Sequence, residues 1–286
     1  MLTTIDVSID ASAAQGRRLL VPVGIATPYQ MPDGFSVTGG TSEILFEAYT
    51  GQAAALITPQ APLVIVHYRA VERASAYPDA LFKHRPNRFT RAADALVEDA
   101  RRIADAAPDG HAAIQALARD TAERFTYGHP DVRYYEGMDE IPHLGCGLTK
   151  GSCVDINAYL IATLRSAGFE AGYVYGYFFP AEKAGHANDG HCWVVTRHAG
   201  VTLEWDIAHH LKIGTREVCC GLNPKPGYRV ALSHSMGHAF PALGITDMKL
   251  LGEAIWVDGQ GGNAPADITI FSQRSDAGSP APPKAA

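Results

Sequence analysis

Three residues of this chain have the types that a thiol nucleophile, its base and an orienting acceptor require: Cys153, His191 and Asp206. Cys153 opens the run CVDINAYLIATLRSAG directly after Ser152. Ser152 is a natural N-cap, and Asp155 three residues later completes an S-x-x-D capping box. That puts Cys153 at the first helical position. There the partial positive charge of the helix start favours thiolate over thiol, and the backbone N–H of Cys153 has no intrahelical acceptor. His191 and Asp206 fall in GHCWVVTRHAGVTLEWD, which reads as two strands and a turn. With residues 197–200 as a four-residue loop, Thr196 pairs with Val201 and, counting outward, His191 faces Asp206. Directly opposed residues share a face with Cβ atoms about 4.5–5.5 Å apart, close enough for a carboxylate to hold an imidazole. The register depends on the loop length.

Other elements must position these groups. Residues 1–77 are rich in short Val/Ile/Phe/Tyr runs broken by Gly, Pro and Thr, such as EILFEAYT and APLVIVHYRAV. They read as a small N-terminal β-domain. After a connector, apolar positions at helical spacing predict two packing helices over 92–106 and 111–125, broken by Pro108-Asp109-Gly110. The irregular stretch 128–150 leads into the Cys153 helix, and long irregular loops in compact domains are often functional. That helix ends at Gly168. Strands follow at EAGYVYGYFF, HCWVVT and VTLEWDIA, with shorter ones at YRVALSH and AIWV. The domains read as 1–77, a catalytic domain at 78–271, and a Pro/Ala/Ser-rich tail at 272–286 that reads as disordered.

The chain has 286 residues, 47% of them hydrophobic, so it can bury a sizeable core. Its formal charge is 24 − 30 = −6. An acidic balance without a basic run argues against nucleic acid or an anionic membrane as partner. The N-terminus lacks the basic and apolar regions of a signal peptide, and five cysteines without framework spacing suit a reducing compartment. Cytoplasm is the expected location.

In combination, GSCVDINAYLIATLRSAGFEAGYVYGY, GHCWVV and LEWD resemble the transglutaminase-like superfamily of cysteine enzymes, including its bacterial cysteine-protease members. The resemblance covers residues 114–211 best. It implies an α+β protein with a papain-like transglutaminase core, in which the cysteine helix packs on an antiparallel sheet. It implies Cys153 as nucleophile, His191 as base and Asp206 as orienter, with acyl transfer through a thioester. A peptide or protein is the implied partner and no cofactor is expected. The chain departs from the family after Asp206, where proline is usual and Ile207 stands here. Hydrolysis is favoured over transamidation because no second-substrate site is evident. Trp193 and Tyr175 are candidates for the substrate wall, with core packing the plainer alternative.

The remaining motifs carry weaker signals. Cys192 should face away from His191 into the core, alternating along its strand. Cys146, seven residues before Cys153, could belong to a zinc centre with Cys153 and His191. A loop cysteine is the simpler reading. His234 and His238 in HSMGH have i, i+4 spacing but lack the zincin glutamate, and Gly237 disfavours a helix. His209-His210 reads as surface or pocket edge. No metal is expected; calcium would need a carboxylate cluster, and no EF-hand-like loop exists. GQGGN lacks the Lys-Ser/Thr of a phosphate loop and is a turn. A binding module of the same fold without turnover is the rival from another class. The oligomeric state is left open.

Overall fold

The computed structural model describes residues 1–276. At its centre lies helix α3, Cys153–Ser166. Helices α1, Asp94–Asp105, and α2, Gly110–Glu123, pack against it from one side. Both match the apolar spacing of the sequence, and the Asp109 carboxylate caps α2 by accepting from the Ala112 N–H at 2.8 Å. On its other side α3 packs on a four-stranded antiparallel sheet in the order Val201–Trp205, His191–His198, Glu170–Pro180, Gly227–His234. Ile156, Tyr159, Leu160, Ile161 and Leu164 are fully buried between these layers. A helix covered on all sides must start in the interior. Its first residue, Cys153, is therefore buried too, at 8% exposure.

The β-rich region is not an N-terminal unit alone. Strand Leu2–Asp10 pairs on one edge with Leu63–Glu72 and on the other with Ile268–Ser275 from the far end of the chain. A second sheet places Ile255–Val257 beside Arg18–Pro22. The two five-stranded sheets close over Ile5, Val7, Leu19, Val21, Ile57, Val64 and Val66. The expected boundaries at 77 and 271 are thus corrected. Residues after 250 return to complete the β-unit, because the strands at 2–10 and 18–22 need partners on both edges. Residues 272–275, expected in a disordered tail, are the end of a strand; the rest of that tail, 277–286, lies outside the described residues. Tyr177, Phe179, Val230 and Leu232 of the central sheet pack into the same cluster. The β-unit is therefore built directly onto the far half of that sheet.

The hairpin register also differs from expectation. The turn is the two residues Ala199-Gly200, with φ of +48° and +78°. Positive φ at both positions is the type I′ geometry that matches the twist of paired strands. His198 then pairs with Val201, and Val194 with Trp205. Asp206 is one residue beyond the last pair, diagonal to His191 rather than opposite it. The shift is by two, so the facing side is preserved. Residues 207–208, expected in the strand, open helix α4, Ile207–Lys212. HSMGH is strand, bend, strand rather than helix, with Ser235 at φ +70° and Gly237 at +76°. Asp258 Oδ1 accepts the Gln260 and Gly262 N–H groups, making the expected turn of GQGGN.

Candidate active site

The start of α3 is fixed by a buried carboxylate. Asp155 Oδ2 accepts the Ser152 N–H at 2.8 Å and the Ser152 hydroxyl at 2.7 Å. Its other oxygen accepts Tyr135 OH at 3.0 Å and the Arg133 guanidinium. Burial alone would raise the Asp155 carboxyl; the Ser152 bonds and Arg133 outweigh it and hold the group below its usual range. Lys249 Nζ donates to Tyr135 OH. The irregular stretch before α3 therefore acts as a clamp that immobilises the first turn of the helix, where Cys153 sits.

Cys153 meets two side chains from strand His191–His198. The Cys192 thiol and the His191 imidazole both favour its thiolate, with a further contribution from Lys212. Against its burial, these hold the Cys153 thiol well below the usual range, while burial pushes the Cys192 thiol well above it. Cys192 is in the core as expected, and it is also a neighbour of the nucleophile candidate. Asn157 Nδ2, one turn along α3, donates to the Cys192 carbonyl at 2.9 Å and holds that strand against the helix.

His191 Nε2 lies 2.9 Å from Asp206 Oδ2, with both side chains buried. That contact leaves Nδ1 as the ring nitrogen available to the thiol. Burial works against a charged imidazole; Asp206 and the Cys153 thiolate reverse this and raise His191 above its ordinary value. Asp206 is completely buried and carries more than one duty. Its Oδ1 caps α4 by accepting the His209 N–H at 3.0 Å. The family's usual proline would stand at the first position of this helix, where proline is favoured; Ile207 fills it here as a fully buried core residue. The departure leaves the carboxylate in place.

Two residues of this cluster escaped the sequence reading. His209 stacks on His191 with ring centroids 4.1 Å apart and planes 10° from parallel. Burial pushes its pKa down to about 4, so it stays neutral beside an imidazole that charges readily. His209 and His210 are 3% and 4% exposed, so of the two expected alternatives the surface is excluded, and His209 stands at the edge of a cavity. The only sequence signal was the N-cap spacing from Asp206 to His209. Arg229, from strand Gly227–His234, gave none. Its side chain is 3% exposed; Nη2 donates to Asp206 Oδ2 and lies 3.0 Å from His209 Nδ1, and Nε donates to Asn223 at 2.7 Å. Asp206 is held well below its usual carboxyl range: burial opposes this, and the charges of His191 and Arg229 overcome it.

His191, Asp206 and His209 bring possible ligand atoms within 4.8 Å of one another. A guanidinium nitrogen already bridges Asp206 Oδ2 and His209 Nδ1, so a metal there would meet a fixed positive charge. Neither Cys146, which is exposed, nor Cys153 belongs to that group. His234 and His238 are buried, with pKa values pushed down to about 4 by desolvation, and do not form part of it.

Trp193 is placed on the other side of the sheet, in a cluster with Tyr77, Leu81 and Phe82, where its indole N–H donates to Tyr77 OH at 3.3 Å. It also borders a cavity of about 360 Å³ with Glu204 and Arg229, behind the His191–Asp206 pair. Tyr175 lies on the α3 side, in the cluster containing Cys153, and is 7% exposed. Its hydroxyl end rests against Gly190. A Cβ built on Gly190 would stand 1.6 Å from Tyr175 Oη, and the Gly190 N–H is fixed to Glu253 Oε1 at 2.6 Å. Gly190→Ala therefore forces either a core tyrosine or the residue preceding His191 to move. The expected result is a loss of about 1–3 kcal/mol in denaturant unfolding, with a weakened acid-shifted thiol at Cys153 in alkylation assays.

Residues 97–202 match the family model of the transglutaminase-like superfamily. This stretch resembles the core of that superfamily. The match begins in α1 and ends in the hairpin, four residues before Asp206, so Asp206 joins the core on geometry. Among solved structures, a Putative Cysteine Protease from Cytophaga hutchinsonii aligns over 97% of this chain and 92% of its own, with 13% identity and a TM-score of 0.56. Such a likeness shows the fold: a transglutaminase-like arrangement of helices and antiparallel sheets. The periplasmic domain of TgpA from Pseudomonas aeruginosa aligns over 74% of this chain and 90% of its own, at 13% identity and a TM-score of 0.38. No curated protein matches.

Proposed function

We propose that this protein is a cysteine-dependent acyl-transfer enzyme that hydrolyses amide or peptide bonds through a thioester at Cys153. The observation that carries the reading is the buried His191–Asp206 pair at 2.9 Å beside a thiol at the first position of α3. In the resting state the thiol proton resides on His191, giving a thiolate–imidazolium pair. The thiolate attacks the carbonyl carbon, and negative charge develops on oxygen near the Cys153 N–H. His191 then gives its proton to the departing nitrogen, leaving the thioester. Next it takes a proton from water as that water attacks, and the thiolate leaves as the acid product forms. Asp206 holds the ring throughout and balances its charge, as in the general triad logic.

The partner is a peptide or protein. The proposed compartment is the cytoplasm, which five cysteines without framework spacing suit. Among the described residues no helix is long and apolar enough to cross a membrane. Transamidation is the second reading, since an amine can replace water at the thioester. The test is incubation with a defined peptide mixture in ¹⁸O-labelled water, with and without a primary amine, followed by mass spectrometry. Label in one product carboxylate, lost in Cys153→Ala, is the expected result. An amine adduct instead would make the protein a transamidase. No product, with Cys153 unreactive to iodoacetamide, would leave a peptide-binding module of the same fold.

A further inference from the structure

Beside His191 lies a cavity of about 210 Å³ that is bordered by three lysines, Lys183, Lys212 and Lys225, together with His209 and Asp189. Cys153 is not among its walls. Lys225 is paired with Glu182 at 2.5 Å. Lys212 sits 4.4 Å over the Tyr127 ring. Among the described residues, neither Lys212 nor Lys183 forms an ion pair. Counting Asp189 and Glu182 against the three lysines leaves the cavity positive, and an imidazolium at His191 adds to it. This is a local reversal on a chain whose formal charge is −6. A cleft lined by one sign of charge concentrates ligands of the other.

The position of the cavity says which part of a substrate meets it. His191 passes its proton to the leaving nitrogen and later activates the attacking nucleophile. The space that His191 borders and Cys153 does not is therefore where the leaving fragment stands. Its volume is below the roughly 300 Å³ at which pockets begin to hold drug-sized ligands, so it suits a fragment of about one residue. We propose that this cavity is a subsite for a carboxylate on the leaving fragment, so that the enzyme acts on amide bonds followed by a single carboxylate-bearing residue. This rests on the acyl-transfer reading above. The carboxylate could be the C-terminal α-carboxylate of a peptide or the side chain of Asp or Glu at the first leaving position.

The first measurement compares alkylation of Cys153 by iodoacetate and by iodoacetamide, each normalised to the same reagent on free cysteine. The ratio cancels the thiolate fraction and reads only the preference for an anion. In the wild type it should favour iodoacetate by about 10-fold at low salt and approach unity at about 1 M salt, where charges are screened within about 3 Å. Lys183→Gln combined with Lys212→Gln should remove most of the preference. A ratio unchanged in that double variant would assign the preference to the imidazolium alone and overturn the proposal, as would a wild-type ratio equal to that of free cysteine. If neither reagent labels Cys153, the acyl-transfer reading fails instead. A second measurement then decides the subsite without chemistry, using Cys153→Ser and dansyl-alanyl-alanine. At least about 5-fold tighter binding of the free acid than of its amide is expected for an α-carboxylate, from one charge contact. Dansyl-alanyl-glutamic α-amide binding as tightly as the acid would point to a side-chain carboxylate. Equal binding of all three, that amide included, would sink the proposal.

Discussion

Replacing His191 by alanine should turn Cys153 from a thiolate into an ordinary buried thiol. The wild-type thiol is held well below its usual range and His191 above its own, so the charged pair exists between the two titrations. Iodoacetamide labelling should rise through the lowered thiol titration, stay high through neutrality, and lose its imidazolium partner above the raised histidine titration. In His191→Ala burial is opposed only by the Cys192 thiol and Lys212. With a pKa at or above the free-thiol value of about 8.5, less than about 1% is thiolate at pH 6. Labelling there should fall by at least about 100-fold, and by much less at pH 9. Cys192→Ala tests the competing contribution. A thiol S–H is a weak donor, whereas an imidazolium carries a full charge. The expected loss at pH 6 is therefore no more than about 10-fold, one titration unit. The reverse order would make Cys192, not His191, the group that sets the nucleophile.

Asp206→Ala should be the most destabilising change in the site. Among the described residues its carboxylate is the only anion bonded to the Arg229 guanidinium, whose side chain is 3% exposed. Removing one partner of a buried pair leaves an uncompensated charge and costs about 3–5 kcal/mol, and the lost cap on α4 adds about 1 kcal/mol. The thermal midpoint should drop by roughly 5–15 °C, measured by calorimetry. Arg229→Met combined with Asp206→Ala should recover much of that loss, since the stranded charge goes with it. The pH dependence has a definite sign. The folded carboxyl is depressed below its unfolded value of about 3.9, so its contribution is complete above that pH and is lost as pH falls through the folded value. The gap between wild type and Asp206→Ala should therefore stay constant from neutrality to about pH 4 and close below it. A gap that was full near pH 6 and shrank as pH rose through the raised His191 titration would mean that His191, not Arg229, is the partner that matters for stability.

Much of this arrangement was written locally. The capping box of Ser152 and Asp155 marks the start of α3, because a helix start has unpaired N–H groups that only nearby side chains can satisfy. That alone places Cys153 at the helix start. The aromatic and β-branched residues of HCWVV and TLEW mark two strands, and strand period fixes which residues share a face. The loop length was misread by two, yet an even shift leaves His191 and Asp206 on one side. An odd error would have separated them. What sequence could not supply is whatever depends on distant chain segments meeting. Arg229 comes to Asp206 across the sheet, and Lys249 reaches the clamp on α3 from near the C-terminus. The β-unit borrows strands from residues 255–275. Trp193, two residues after His191, is covered by Tyr77, Leu81 and Phe82 on the sheet face away from α3. Periodicity records which neighbours point together; it holds no record of what will cover them. The candidate nucleophile, base and acceptor were thus legible from local rules, while the charge balance that keeps a buried carboxylate ionised was decided by tertiary packing.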